Sequence, residues 1–233
     1  MARLPRLAVG EHLHLLIQRG HNGLPVFADA QDRVVYLQCL AEAAREHAVA
    51  VHAYALPPTE VLLLATPARG ESLGRMMQAV SRRFVRAYNL RHRRDGTLWA
   101  GRFASTVVDP VAHGLASLLW VNAGGPGQDV AAAPHPADAS ASSALHHAGA
   151  QRVAWLVDPA FYWQLGNTPF EREARYRAAA ADGLTTRERI LLRQSASTGW
   201  VLGAPGFAGE LAARAQRRTA PLPRGRPRKS AVE

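Results

Sequence analysis

Two periodicities of apolar residues divide the first half of the chain. Residues 12–18 (HLHLLIQ) form a short, mostly apolar run, which predicts a buried strand. The RGHNG stretch at 19–23 then carries turn chemistry. From 29 to 47, Val34, Val35, Leu37, Leu40 and Ala44 return near helical spacing. Residues 49–56 and 61–65 are apolar runs stopped by Pro57-Pro58 and Pro67, and so short a link predicts an antiparallel hairpin. Over 72–91, Leu73, Met76, Met77, Val80, Phe84 and Val85 follow the 3.6-residue period of a long helix. Asp95-Gly96 reads as a turn, 98–108 as a strand, and 110–121 as a helix with Pro110 in its first turn. The order β-α-β-β-α-β-α predicts an α+β fold of the ferredoxin-like, split βαβ kind: an antiparallel sheet with helices on one face.

The pattern changes after residue 123. Residues 124–150 are rich in Gly, Ala, Ser, Pro and His without a period, as in a linker. Beyond them, 151–216 predicts a mostly helical C-terminal extension. Thr168-Pro169-Phe170-Glu171 supplies a cap, a proline for the first helical position and an acid. Thr185-Thr186-Arg187-Glu188 matches a capping box. A last short helix spans 207–216. In the tail, 217–233, the stretch from Arg217 to Lys229 holds six basic residues and no acidic one. The expected organisation is therefore a fold of residues 1–123, a linker, a helical part and a basic, disordered tail.

Composition adds a partner. Apolar residues make up 48% of the chain, enough for a packed core, but no run reaches the roughly 18 residues needed to cross a bilayer. Cys39 is the only cysteine, which excludes an internal disulfide framework and a thiolate zinc cluster. With no signal-peptide pattern at the first residues, the cytoplasm is the expected compartment. Lys and Arg outnumber Asp and Glu by 28 to 18, and Lys229 is the only lysine. Codon bias in a G- and C-rich genome accounts for arginine over lysine, but not for the excess positive charge. Arginine forks onto phosphate and stacks on bases, so the excess points to nucleic acid.

Several motifs, in order, resemble one family. They are the opening Met1-Ala2-Arg3-Leu4-Pro5-Arg6-Leu7, then Gln18-Arg19-Gly20 with Asn22 and Val26-Phe27, and His52-Ala53-Tyr54. Next come Leu73-Gly74-Arg75-Met76-Met77-Gln78 with Arg82-Arg83-Phe84-Val85-Arg86 and Tyr88-Asn89, and Gly96-Thr97-Leu98-Trp99-Ala100-Gly101-Arg102-Phe103. Gly199-Trp200-Val201-Leu202-Gly203 and Arg224-Gly225-Arg226-Pro227-Arg228-Lys229 complete the set. Together they are similar to the REP-associated tyrosine transposases, of the single-tyrosine HUH insertion-sequence superfamily. The resemblance implies a DNA partner, single-stranded or hairpin repeat elements, leaves room for a homodimer, and implies Mg²⁺ or Mn²⁺ chemistry. In that chemistry two histidines flanking one hydrophobic residue hold the metal, which polarises the scissile phosphate. A tyrosine on a following helix then attacks it.

At the residues that carry the chemistry, the sequence departs from the family. Pro57-Pro58-Thr59-Glu60-Val61-Leu62-Leu63-Leu64 stands where the histidine strand belongs, with Glu60 and Leu62 at the two ligand positions. Leucine has no lone pair to give. The nucleophile's position falls on Trp120 or, with a shifted register, Leu118, and no tyrosine lies between Tyr88 and Tyr162. Ala100 replaces a glutamate, and Asn122-Ala123-Gly124-Gly125-Pro126 replaces an Asn-Pro run. The expectation is a DNA-binding chain without cleavage and without a bound cofactor. The alternative is an active metal-dependent transposase or endonuclease using displaced residues, such as Glu60 with His14 and Tyr88 as nucleophile. His12-Leu13-His14 matches the His-hydrophobic-His triplet literally but on the wrong strand, where a partly buried structural histidine is the better reading. His146-His147 is weaker still, because consecutive residues of an extended chain face opposite ways.

The residues expected to bind DNA are Arg19, Arg75, Arg82, Arg83, Arg86, Arg102, Arg224 and Arg226. Spacing places Arg75, Arg82 and Arg86 on one broad helix face with Arg83 beside them, interrupted by the uncharged Ala79. Arg91, Arg93 and Arg94 extend the charge. Arg224-Gly225-Arg226-Pro227 has the narrow, extended pattern of an AT-hook, and equally that of a disordered basic tail. The helices near 185–195 and 207–216 suit a helix-turn-helix reader or a packing appendage, with Trp200 as an anchor.

Overall fold

The computed structural model describes residues 6–125, 141–216 and 218–221. The strands are β1 (Leu13–Arg19), β2 (Val49–Ala55), β3 (Glu60–Pro67) and β4 (Ala104–Val108), and they form one antiparallel sheet in the order β2-β3-β1-β4. Helix α1 (Ala30–Glu46) joins β1 to β2, and α2 (Gly70–His92) joins β3 to β4. This is the split βαβ arrangement expected from the periodicity.

Strand alternation decides which face each side chain serves. Leu16, Leu63 and Ala65 join Tyr36 and Leu40 of α1 and Leu73, Met76, Val80 and Phe84 of α2 in the first core. Leu13, Leu15, Ile17, Leu62 and Leu64 point the other way, into a second core. That core is closed by α3 (Pro110–Asn122), α5 (Ala160–Trp163), α6 (Pro169–Asp182) and α7 (Thr186–Thr198). The helical extension is therefore the second layer of the same body, and the sheet is covered on both faces. Both faces of β1 and β3 are apolar for that reason, and this is why residues 12–18 and 61–65 read as runs rather than alternations.

Two segments differ from expectation. Residues 98–103 do not extend β4. They form an irregular stretch tied to the end of β1 by an isolated Gly20–Trp99 bridge, with His21 N–H donating to Leu98 O at 2.8 Å and Ala100 N–H donating to Arg19 O at 3.0 Å. Gly101, at φ 153°, gives the bend. The second difference lies in the expected linker. Residues 141–150 pair with β2 through an Ala55–Ser142 bridge and carry the short helix α4 (Ala144–His147), where His147 is wholly buried.

Helix ends follow the chemistry read from sequence. Thr185 and Glu188 form the reciprocal capping box of α7, and Thr168 accepts from Glu171 N–H at the start of α6. The last helix, α8 (Pro205–Ala215), packs Leu211 against Leu7, Val9 and Val107, while α7 packs Leu192 and Ala196 into the second core. Trp200 is half-buried, and its carbonyl accepts from the Thr106 hydroxyl. These contacts are those of a packing appendage.

Candidate nucleic-acid interface

Helix α2 has one apolar side and one basic side. Leu73, Met76, Met77, Val80, Phe84 and Tyr88 are buried, while Arg75, Gln78, Arg82 and Arg86 are exposed on a single stripe. Ala79, the uncharged gap expected in the stripe, is itself buried, so the exposed surface keeps its basic character. The helix ends at Arg93, which adopts a left-handed conformation (φ 51°, ψ 48°). Asn89 holds the following turn by donating to Gly96 O at 2.9 Å. Residues 97–103 then run back alongside the helix.

Between α2 and this returning segment lies a groove of about 490 Å³. Its walls include Gly74, Gln78 and Ser81 on the helix side and Trp99, Arg102 and Phe103 on the other, with Gln18 of β1 and Arg6 completing them. Arg6 stacks its guanidinium 3.7 Å from the Phe103 ring and donates to Phe103 O at 2.8 Å. Two buried polar atoms of the lining residues, Gln18 Oε1 and Trp99 Nε1, have no hydrogen-bond partner among the described residues. Both atoms are shut off from the groove's surface; what the groove presents is Arg102, Gln78 and Ser81 beside the edges of the Trp99 and Phe103 rings, which suits a ligand that is polar and anionic.

The expected arginines separate into free and engaged groups. Arg75, Arg82, Arg86 and Arg102 are exposed, and none makes an ion pair closer than 4.0 Å among the described residues. Arg83 is held by Glu46 at 2.5 Å and Glu42 at 3.8 Å, tying α2 to α1. The Arg83 guanidinium in turn lowers the pKa of the Glu46 carboxyl. Arg91 clamps Asp29 and the buried Asp32 at 2.6 and 2.5 Å, so it is a joint between helices rather than part of the free surface. Arg19 faces Glu60 at 3.4 Å across the β1–β3 pair. Arg224 and Arg226 lie outside the described residues.

The positions that the sequence resemblance assigns to a metal pair and a nucleophile lie on the opposite face of the sheet. Glu60, Leu62 and Leu64 alternate toward α3, opposite Arg19, Ile17 and Leu15 of β1. Leu62 is wholly buried, and Trp120 of α3 is 3% exposed in the same core. The chain after α3 turns through Gly124 and Gly125, with Gly125 N–H donating to Trp120 O at 3.0 Å. A Cβ built on Gly125, whose φ is +77°, would sit 2.5 Å from Leu62 Cδ1. The turn therefore rests directly on the leucine. A divalent metal does not fit here: Leu62 donates nothing, and the Glu60 carboxylate already faces a guanidinium. Burial raises the Glu60 pKa, and the nearby Arg19 partly opposes that rise.

The displaced trio is not brought together. His14 pairs with Ala65 and faces the first core, whereas Glu60 faces the second. Five registers, or roughly 17 Å of strand, also separate them. His14 is fully buried, with Nδ1 against His12 O at 2.7 Å and Nε2 accepting from Val9 N–H at 3.3 Å. Burial holds its imidazole down at about 4, so it stays neutral. His12 sits before the strand, with Nδ1 2.7 Å from Gly10 O. Tyr88 packs in the first core beside His92. The tyrosines of the second core, Tyr162 and Tyr176, are buried and occupied: Tyr162 donates to His147 O at 2.8 Å, and Tyr176 accepts from Asn122 Nδ2 at 2.7 Å. Desolvation raises the pKa of both phenols, to about 12 for Tyr162.

Sequence reasoning found the stripe on α2 but not the groove. The groove depends on residues 97–103 leaving the sheet, and only the glycine pair at 96 and 101 signalled that.

No family model and no curated protein matches the chain. Among solved structures it is similar to a REP-associated tyrosine transposase bound to a REP hairpin, with a TM-score of 0.53 and 10% identity, over 69% of this chain and 93% of that chain. At that identity the likeness establishes one thing: this chain has a transposase-like fold related to that of the REP-associated tyrosine transposases.

Proposed function

We propose that the protein binds single-stranded or hairpin DNA through the groove beside α2 and does not cut it. The observation that carries the binding half is the coincidence of the free arginines Arg75, Arg82, Arg86 and Arg102 with a groove lined by Gln78, Ser81, Trp99 and Phe103. Phosphates engage the arginine stripe and set affinity. An unpaired base enters the groove beside the edges of Trp99 and Phe103, where the side chains of Gln78, Ser81 and Arg102 offer hydrogen bonds to its edge. A regular duplex offers no such splayed base.

The second half rests on the other face of the sheet. Glu60, Leu62 and Trp120 fill that place with an ion pair and packed hydrocarbon. No side chain there offers a nucleophile, and none offers the paired lone pairs that a catalytic cation needs. The solved relative was bound to a REP hairpin, which makes a short hairpin with a single-stranded flank the natural probe.

The test is incubation of the full chain with a labelled hairpin of that kind, with and without Mg²⁺ or Mn²⁺. Salt-dependent retardation with neither cleavage nor a covalent adduct is the expected result. An adduct that survives denaturation would overturn the inactive reading and favour an active transposase using displaced residues. Failure to retard hairpin or single strand at low salt would overturn the binding reading.

A further inference from the structure

His146, His147 and Asp158 place three ligand atoms within 4.8 Å of one another. The extended-chain objection to the two histidines does not hold, because they lie on α4, where successive side chains are about 100° apart. Their ring centroids are 5.0 Å apart. The cluster lies along β2, the edge of the sheet remote from β4. It opens onto a cavity of about 360 Å³ lined also by Tyr162, Arg172 and Glu173. It is separate from the proposed DNA groove and does not depend on it.

His147 is wholly buried. Its Nδ1 lies 3.0 Å from the Ser143 carbonyl and 3.2 Å from Asn122 Nδ2; with the proton on Nδ1 it donates to that carbonyl and Nε2 keeps its lone pair. That Nε2 has no hydrogen-bond partner among the described residues and lies 4.0 Å from Asp158 Oδ1. In that tautomer a buried imidazole nitrogen without a partner faces a half-buried carboxylate, and a cation between them would satisfy both. An imidazole fixed through its other nitrogen by a backbone carbonyl is also how metal-binding histidines are oriented. His146 Nε2 lies 3.3 Å from the same carboxylate oxygen.

We propose that His146, His147 and Asp158 bind one borderline transition-metal dication of the Zn²⁺ kind, with its fourth position open to the cavity. Two imidazoles and one carboxylate favour such an ion over Mg²⁺, whose usual ligands are oxygens. Bonds of about 2.0–2.2 Å at a tetrahedral centre put ligand atoms roughly 3.3–3.6 Å apart. The observed 3.3 and 4.0 Å separations need only small movements. His146 must change more. Its Nδ1 accepts from Val153 N–H at 3.1 Å, so its proton is on Nε2 while the site is empty. Ligation moves that proton to Nδ1, and Val153 gives up the contact. The bound ion ties the α4 segment, which pairs with β2, to the start of the helical layer at Asp158.

The test uses the full chain without an affinity tag, stripped with chelator and titrated with ZnCl₂ or CoCl₂. One equivalent is expected to bind, Co²⁺ developing the visible absorption of a tetrahedral site and Zn²⁺ raising the thermal midpoint. Asp158→Asn is expected to weaken Zn²⁺ at least about tenfold, in the range seen when metal-site partners are lost. His146→Ala, a half-buried position, is expected to do the same and serves if the first variant does not fold. Absence of stoichiometric binding, or unchanged affinity in folded variants of both residues, would overturn the site.

Discussion

The two faces of one sheet have been treated in opposite ways. On the face under α1 and α2, core residues fill the middle, and the rim carries free arginines and an aromatic groove. On the face under α3, the positions that the sequence resemblance assigns to a metal and a nucleophile are filled with Leu62, Trp120 and a glycine turn. On the proposed function, a binding surface and a reaction centre on one scaffold are separable. The first needs charge and shape at a rim, which solvent can hydrate. The second needs lone pairs in the interior, which become costly when they lose a partner.

The largest expected effect lies on the closed face. Leu62→Ala should destabilise the chain by about 2–5 kcal/mol, as for other buried leucines, measured by denaturant unfolding. Hairpin affinity of the folded protein should be unchanged. Loss of hairpin binding in a folded Leu62→Ala variant would mean that the two faces are not independent.

The next effect probes the buried polar content of the other face. His14 has a folded pKa depressed from 6.5 to about 4, so between those values the unfolded chain binds the proton and the folded chain does not. Stability is therefore complete above pH 6.5 and falls as pH drops toward 4. The shift corresponds to about 3 kcal/mol at most. The geometry agrees: a proton on Nε2 would confront the Val9 N–H. His147, also depressed to about 4 by burial, and His52 act in the same direction, so His14→Gln should reduce the slope of stability against pH in this window rather than abolish it; an unchanged slope would assign the effect elsewhere.

A smaller effect resolves the arginines. Replacing Arg75, Arg82 and Arg86 together with alanine should weaken hairpin binding about 10- to 100-fold at low salt and reduce the salt slope by roughly 0.7–0.9 per lost contact. Arg83→Ala should change affinity much less, because Glu42 and Glu46 already hold that guanidinium. Equal effects from Arg83 and Arg86 would erase the distinction between engaged and free charge.

How far the sequence could be read follows from these particulars. The order of strands and helices was legible because 3.6-residue spacing over 72–91 and proline stops at 57, 58 and 67 are local signals. The two-sided burial of β1 and β3 was visible as unbroken apolar runs, but which helices supply the second layer was not, since that pairing is long-range. The contrast between Arg83 and Arg86 was hidden for the same reason: both are exposed arginines on one helix, and only α1 tells them apart. His146-His147 read as a poor pair because the surrounding Gly, Ala and Ser suggested extended chain. One turn of helix, stabilised by Ser143 and the pairing with β2, reverses that geometry.

The turn at Gly124–Gly125 bears on any attempt to build a metal site at positions 60, 62 and 120 of this scaffold. Exchanging side chains at 60, 62 and 120 alone would place imidazoles and a phenol beneath a backbone that already touches the occupant of position 62. Polar groups there would find neither water nor an open coordination position. The loop after α3 has to be redrawn first, with a residue other than glycine and a path away from β3, before any ligand pair can meet a phosphate.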